Sequence, residues 1–378
     1  MMLMTRWVIS TVLIAGAVSA GALSNGAPSQ TTPPARNVIL FLADAGGLPT
    51  LNAASIHGHG APRKLFLNTM PHIALADTSS ASRWVTDSAA GMTAIVTGHK
   101  THNGVIAQSD SAVHGKKDGE ALKTILEYAE ERGLSTGVVS NSSVLSATPA
   151  ACYAHVNDRA NNPDIFQQLI TPRFGDGVDV VIGNGLRNVD TAARAKGLVA
   201  RDALGAAGLP LFDSLDVIPA NAKRGVVLFD GSFDLDTATQ RAIDVLSRNP
   251  KGYFLMVESD THTETVLRGL NNALQIDQAI RHAAGRTKDD TLILFTADHS
   301  YDFRVRGGRK DSPLLPGTTP ADFGKDQESI TLPNIRRDDG HTGEEVLVAA
   351  QGPGAERVRG FLTNTDLFRI MMAGFGWN

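Results

Sequence analysis

The feature that most constrains the fold is a series of short, continuous apolar runs. The first run, residues 37–43, reads NVILFLA and does not alternate between polar and apolar side chains. Strands buried on both faces of a parallel sheet have this pattern, whereas strands with one solvent-facing side alternate. Six further runs of this character predict strands at residues 137–140, 178–182, 225–229, 253–257, 291–296 and 345–349.

Helical patterns occupy the segments between these runs. Residues 120–132, 237–248 and 271–286 each carry apolar positions at helical spacing. Strand followed by helix, repeated along the chain, predicts the α/β class, as a three-layer sandwich with a central, mostly parallel sheet flanked by helices. No strong linker interrupts the pattern, so we expect residues 37–378 to form a single domain.

The N-terminal sequence has the build of a secretory signal peptide. Arg6 precedes an apolar run at residues 8–18, and Val18-Ser19-Ala20 is a small-residue cleavage pattern. The run is too short for a comfortable membrane span, and an uncleaved anchor or a buried first helix is the alternative. We therefore predict a signal peptide at residues 1–20, a flexible leader at residues 21–36, and a periplasmic or secreted protein without a stable membrane span in its mature chain.

Charge and cysteine content exclude some classes of protein. The chain has 35 basic and 39 acidic residues, a formal net charge of −4, so no basic excess indicates nucleic-acid binding. The single cysteine, Cys152, excludes an internal disulfide. The sequence does not specify the oligomeric state, and a homodimer stays open.

Acidic residues and histidines follow several of the predicted strands. In open α/β sheets, ligands bind outside the carboxyl ends of the strands. A single Asp after a strand is more often a helix cap or turn former, but convergence of a whole set at one sheet edge indicates a site for Zn, Mn or Mg. The set consists of Asp44, Glu258, Asp260, Asp298 and His299, together with His341 before the run at 345–349.

Two further segments suit the binding and attack of a phosphate. In TDSAAGMT, Ser88 stands at a predicted helix N-terminus, where backbone N–H groups favour an anion, although an N-cap serine would look the same. A second helix is predicted from about Pro149, and it would carry Arg159. A guanidinium binds two phosphate oxygens at once, but a surface salt bridge is the alternative for this arginine.

With these residues the sequence resembles the alkaline phosphatase family, in its bacterial type. The resemblance rests on motifs that occur in family order between Asn37 and Gly376. They are NVILFLAD at Asp44, TDSAAGMTA at Ser88, KTHNGVI at residues 100–106, ATPAACYAHVNDR at residues 147–159, TADH at residues 296–299, HTGEEVLVAAQGPGA from His341, and TDLF at residues 365–368.

The resemblance implies a phosphate monoester hydrolase that works on small phosphorylated substrates at neutral to alkaline pH. Ser88 would become a phosphoserine, and Arg159 would bind the phosphate oxygens. The implied cofactors are two Zn²⁺ and one Mg²⁺. Asp44, Asp298 and His299 would hold one zinc, His341 the other, and Asp44, Thr148 and Glu258 the magnesium.

The chain departs from the family pattern at two places. The family has an Asp five residues after the Glu of the magnesium site and a His four residues later, where this chain has Thr263 and Leu267. A shortened loop would let Asp260 and His262 complete the first zinc site, with Glu264 as a rival to His262. Ser146 stands where family members often carry Asp or His, which leaves the identity of the third metal open.

Two other functions remain as alternatives at this stage. A phosphodiesterase of the same superfamily would share the metal site, although many of these enzymes use threonine as the nucleophile. A phosphate- or metal-binding relative that has lost catalysis would account for the altered segment from Glu258 to Glu264.

Overall fold

The computed structural model describes residues 33–287, 289–318 and 332–377. The predicted signal peptide and residues 21–32 of the predicted leader lie outside the described residues. Ala35 is already buried, and its N–H donates to the carbonyl of Gly374 at 2.7 Å. Among the described helices, none has both the length and the apolar character that a membrane crossing needs.

Twelve strands and ten α-helices form the described part of the chain. The strands are β1 (Asn37–Asp44), β2 (His72–Asp77), β3 (Ser135–Ser143), β4 (Val180–Asn184), β5 (Leu211–Phe212), β6 (Gly225–Phe229), β7 (Tyr253–Asp260), β8 (Thr291–Thr296), β9 (Ser300–Val305), β10 (Ile335–Thr342), β11 (Val346–Gln351) and β12 (Gly360–Thr363). The helices are α1 (Leu48–His59), α2 (Ser88–Thr97), α3 (Ile125–Glu131), α4 (Ala147–Ala150), α5 (Asn162–Ile170), α6 (Leu186–Ala195), α7 (Ala200–Ala206), α8 (Leu235–Leu246), α9 (Val266–Arg286) and α10 (Asn364–Gly374).

Ten of the strands form one sheet, in the order β12-β2-β11-β8-β1-β7-β3-β4-β6-β5. Every pairing in this sheet is parallel except those of β11, which runs antiparallel to β2 and β8. The two remaining strands, β9 and β10, pair antiparallel with each other. The predicted α/β class and the mostly parallel sheet are confirmed, and all seven predicted strands coincide with strands of this sheet.

The first strand shows why the sheet carries helices on both faces. Val38, Leu40 and Leu42 pack into one core with residues of α2, α3, α5 and α10. Their neighbours along the strand point the other way, into a second core with residues of α8 and α9. Because side chains alternate across a strand, a continuous apolar run supplies both cores at once.

Glu130, near the end of α3, is a buried acid outside the candidate site. Its carboxylate accepts hydrogen bonds from the N–H of Gly177 at 3.0 Å and the hydroxyl of Thr136 at 3.2 Å. Burial raises the pKa of Glu130 to about 8, and the nearby charge of Glu127 adds to this effect. The folded protein therefore holds a proton that the unfolded chain releases above its ordinary pKa of about 4.5.

We expect Glu130→Gln to reduce the loss of stability at alkaline pH. A raised folded-state pKa gives stability that is fully present below the unfolded pKa and is lost as pH rises through about 8. Between pH 5.5 and pH 8, the free energy of unfolding of the wild type should fall by up to about 3 kcal/mol more than that of the variant. Denaturant unfolding at both pH values measures the difference. Glu131→Gln, at the exposed neighbouring position, is the control, and equal pH dependence in Glu130→Gln and wild type would contradict the prediction.

Candidate active site

The carboxyl ends of three adjacent strands bring the acidic residues together. Strand β1 lies between β7 and β8, and the register places Asp44 opposite Asp260 and Leu42 opposite Glu258. Leu42 also pairs with Thr296 of β8, and Asp298 follows two residues later. The predicted convergence at one edge of the sheet is therefore observed.

His341 reaches the same edge by a different route. It lies near the end of β10, where it pairs with Tyr301 of β9, the strand that follows His299 directly. The rings of His299 and His341 stack with their centroids 3.7 Å apart. Because the next strand, β11, is antiparallel to β8, the residues before β11 lie at the edge where the parallel strands end.

Ser88 is the first residue of α2, and the residue before it caps the helix. The Asp87 carboxylate accepts the N–H of Ala90 at 3.0 Å, so Asp87 and not Ser88 is the N-cap. The Ser88 hydroxyl is thereby left for another role at the positive end of the helix dipole. Small residues let α2 pack close to Asp298, because a Cβ on Gly91 would lie 3.0 Å from the backbone oxygen of Asp298.

Asp44, Asp298 and His299 each offer a ligand atom within 4.8 Å of the other two, and the Ser88 hydroxyl lies beside two of these residues. Ser88 Oγ lies 3.3 Å from both carboxylate oxygens of Asp44 and 3.3 Å from His299 Nε2. His299 Nε2 lies 3.3 Å from Asp44 Oδ1 and 3.5 Å from Asp298 Oδ2. These separations are long for hydrogen bonds that involve a hydroxyl, but they match the edges of about 3.3–3.4 Å of a tetrahedral zinc shell with bonds near 2.0–2.1 Å.

His262 and His341 form a second group beside the first. Their Nε2 atoms lie 3.4 Å apart, again the edge of a tetrahedral zinc shell. In each of the three histidines Nδ1 has its own partner: Asp260 Oδ1 at 2.9 Å for His262, the Ser300 carbonyl at 3.1 Å for His299, and the Thr86 carbonyl at 3.1 Å for His341. Partners of this kind fix the tautomer that leaves Nε2 free to bind a metal.

The altered segment places His262, and not Glu264, against the other histidine. Its residues Thr263–Thr265 form a single 3-10 turn, so no helix carries Asp260 and Glu264 on one face. Glu264 lines the cleft and lies 3.5 Å from the side chain of Arg268. Asp260 also lines the cleft, and its carboxylate contacts His262 without belonging to either group of three mutually close ligands found in the described residues.

The other residues predicted to hold magnesium, Thr148 and Glu258, lie near Asp44. The Thr148 hydroxyl donates to Asp44 Oδ2 at 3.4 Å from the start of the short helix α4. Glu258 is fully buried and accepts a hydrogen bond from Ser140, a partner that the sequence analysis missed. Ser146 precedes α4 and lines the same cleft.

Arg159 lines the cleft, but its predicted position on a helix from Pro149 is wrong. Helix α4 ends at Ala150, and Arg159 lies in an irregular segment whose position is fixed by a bond from its N–H to the Gly104 carbonyl at 2.8 Å. The guanidinium lies 3.2 Å from Asp87 Oδ2 and is about one-third exposed. Asp87, also missed from the sequence, thus links Arg159 to the start of the helix that carries Ser88.

The electrostatics of the site are those of a cation-binding pocket. Burial raises the pKa of Asp298 to about 6 and that of Glu258 well above its ordinary value, with Asp44 adding to both. Burial tends to lower the pKa of His262, yet the carboxylates of Asp260 and Asp44 raise it to about 9. Burial and the charge of His299 lower the pKa of His341 to about 4.

Two buried oxygens indicate where the cations would bind. Glu258 Oε1 and Asp298 Oδ2 have no hydrogen-bond partner among the residues that the structure describes. Unpaired buried carboxylate oxygens are costly, and a divalent cation would satisfy them. The donor set, with imidazole nitrogens and carboxylate oxygens in two groups within 4.8 Å, therefore fits zinc.

Comparison with known proteins identifies the family of this chain. The family model for alkaline phosphatase matches residues 35–203 and 230–335. The alkaline phosphatase of Escherichia coli is 28% identical, with 91% of this chain and 86% of the relative covered. Streptomycin-6-phosphate phosphatase of Streptomyces griseus is 30% identical, with 91% of both chains covered.

Solved structures give the same result. The alkaline phosphatase of the Antarctic bacterium TAB5 superposes with a TM-score of 0.75 at 25% identity, covering 91% of this chain and 99% of that one. A mutant of that enzyme with magnesium bound in its M3 site gives a TM-score of 0.76 at 26% identity, with the same coverage. The family match, which spans most of the chain, and these relatives agree that the chain belongs to the alkaline phosphatase family.

Proposed function

We propose that this protein hydrolyses phosphate monoesters through a phosphoserine intermediate on Ser88. The observation that carries the proposal is the position of Ser88 Oγ, at the start of α2 and 3.3 Å from Asp44 and from His299. Around it opens a cleft of about 310 Å³. Its lining residues include Arg159, His262 and His341.

The residues fit the two zinc ions and one magnesium ion that this function implies. We propose that Asp44, Asp298, His299 and Ser88 hold one zinc, that His262 and His341 hold the other together with Asp260, and that Asp44, Thr148 and Glu258 hold magnesium. When bound, the cations lower the pKa of the attacking group and neutralise charge on the phosphoryl oxygens. Asp260 has a second role, because its carboxylate hydrogen-bonds Nδ1 of His262 and so orients that ring.

The side chains of the cleft have separate roles in the proposed reaction. Ser88 Oγ attacks phosphorus as its proton passes to solvent, the bond to the leaving oxygen breaks, and the alcohol leaves with a proton from water. Water then attacks phosphorus, the Ser88–phosphorus bond breaks, and inorganic phosphate leaves as Ser88 regains its proton. Arg159 and the N–H groups at the start of α2 stabilise charge on the other phosphoryl oxygens. The histidines bind metal only when neutral, which favours neutral to alkaline pH.

The proposal extends to the class of substrate and to the cell compartment. Relatives named for alkaline phosphatase and for streptomycin-6-phosphate phosphatase indicate small phosphorylated molecules as substrates. The signal-peptide pattern at residues 1–20 supports export to the periplasm or the medium. A homodimer also stays a proposal.

The ratio of monoester to diester hydrolysis tests this function, and substitution of Arg159 provides a second test. We expect the wild type to favour an aryl monoester, and Arg159→Ala to lower its kcat/KM by about 10²-fold, because a charged bidentate contact to the phosphoryl oxygens is lost. Diester hydrolysis should fall less, since one of those oxygens is esterified.

Two outcomes of these assays would contradict the proposal. A wild type that prefers the diester would identify a phosphodiesterase. No turnover of either ester by protein loaded with zinc and magnesium would identify a binding protein. Arg159→Lys serves as the matched variant, because it keeps the positive charge but cannot bind two phosphoryl oxygens at once. Its rate should lie between those of Arg159→Ala and the wild type.

A further inference from the structure

The altered segment, which begins within the last residues of β7 and precedes α9, is held in place by contacts on three sides. We call residues 259–262 the first-zinc loop. On the side of β1, the Asp44 carbonyl accepts both the N–H of Thr261 at 2.9 Å and its hydroxyl at 2.6 Å. On the side of β3, Asn141 Oδ1 accepts the N–H of Asp260 at 2.7 Å. These two contacts fix the loop against the strands of the sheet.

The third side is helix α9, and its contacts with the loop are unusually close. Asn272 Nδ2 donates to the Asp260 carbonyl at 2.6 Å, and the Ser259 hydroxyl donates to the Asn272 carbonyl at 3.0 Å. Three residues earlier, on the same face of the helix, Gly269 lies directly under the loop. A Cβ at Gly269 would lie 2.4 Å from the His262 carbonyl oxygen and 2.8 Å from that of Thr261.

The first-zinc loop cannot shift without moving a metal ligand. His262 is two residues beyond Asp260, and its Nε2 must stay near the Nε2 of His341, which a different sheet carries. A shift of a few tenths of an ångström in the loop backbone would move that ring relative to His341. The groups that orient metal ligands set metal affinity nearly as much as the ligands do.

We propose that Gly269 and Asn272 are positioning residues for the first zinc, acting through the backbone of the first-zinc loop. This inference rests on the proposed function, because it assumes that His262 and His341 hold a zinc ion. It goes further, because it makes the affinity for that one zinc ion depend on the face of α9 that carries Gly269 and Asn272. No hydrogen bond found among the described residues joins α9 to Asp44, Asp298 or His299, so we expect the zinc held there to keep its affinity.

Helix α9 offers a matched control for each substitution. Asn271 is the neighbour of Asn272, but within the described part of the chain its side chain bonds only inside the helix, to the Leu267 carbonyl at 2.7 Å. Gly285 is a helical glycine of α9, and an added Cβ would meet nothing within 4 Å. The four variants Asn272→Ala, Asn271→Ala, Gly269→Ala and Gly285→Ala thus separate contact with the loop from changes to the helix itself.

The experiment titrates zinc alone into the metal-free full-length protein and follows the two binding events by calorimetry. In Asn272→Ala and Gly269→Ala we expect one zinc equivalent to bind about 10- to 100-fold more weakly and the other to bind unchanged. Asn271→Ala and Gly285→Ala should keep both wild-type affinities. Thermal unfolding of each metal-free variant reports any general loss of stability.

The outcomes are distinguishable. Two wild-type affinities in folded Asn272→Ala would overturn the inference, and this variant only removes atoms, so it keeps the test valid if Gly269→Ala does not fold. Equal weakening of both equivalents, with a less stable metal-free protein, would also overturn it, since that is a structural effect. A wild type that binds no zinc would instead reject the proposed function together with the inference.

Discussion

Replacing Ser88 by Ala is expected to lower kcat/KM for an aryl phosphomonoester by on the order of 10³-fold or more. The Ser88 hydroxyl is the attacking group in the proposed reaction, and the one other described hydroxyl in contact with the Asp44 carboxylate is that of Thr148. Thr148 lies at the start of a different helix, α4, and not at the N-terminus of α2. Residual activity should come from water attacking directly.

A second serine of the same cleft is the control for this substitution. Ser142 lines the cleft, and its backbone N–H bonds to Ser140. Ser142→Ala should lower kcat/KM by less than tenfold or so, because it removes no attacking group. Acid quenching during turnover, followed by peptide mass analysis, should find a phosphoryl group on Ser88 in the control and in the wild type. Near-wild-type activity in Ser88→Ala, or a phosphoryl group on another residue, would show that Ser88 is not the nucleophile.

The sheet was predictable because its strands carry their own signal. Residues 38–43 are apolar at every position, because alternate side chains of the strand enter the two cores on the two faces of the sheet. Strand β2, with half-buried positions, and the short strand β12 lack such a run and were not predicted. The order of the strands depends on contacts between distant segments, which local pattern does not encode.

The site was predictable where a residue follows directly from a strand or begins a helix. Asp44 and Asp298 lie at strand ends, and Ser88 opens α2. Arg159 was misplaced, because its position depends on the Gly104 carbonyl, more than fifty residues away along the chain. The choice between His262 and Glu264 needed the geometry of a single turn, which only the contacts with α9 and the sheet determine.

Removing the metals is expected to abolish activity and to destabilise the fold together. Exhaustive dialysis against a chelator should reduce phosphomonoester hydrolysis to background, and zinc should restore it whereas magnesium alone should not. Three histidines contribute to the two groups of close ligands, and imidazole is a zinc ligand, while magnesium selects oxygen. His341→Gln provides a graded variant, because it should lower the zinc content by one equivalent.

The loss of stability follows from the buried charges. Asp44, Glu258 and Asp298 are all buried, and two of their oxygens have no partner among the described residues. Ions that bind only the folded state stabilise it by about 4 kcal/mol when their free concentration is about 1,000 times the dissociation constant. The melting temperature of the wild type should therefore fall on chelation and recover with zinc. Full activity in protein that mass spectrometry finds free of zinc would reject the two-zinc assignment. A melting temperature that the chelator does not change would reject the proposed metal site as a whole, since these three acids would then be stable in the folded core without a cation.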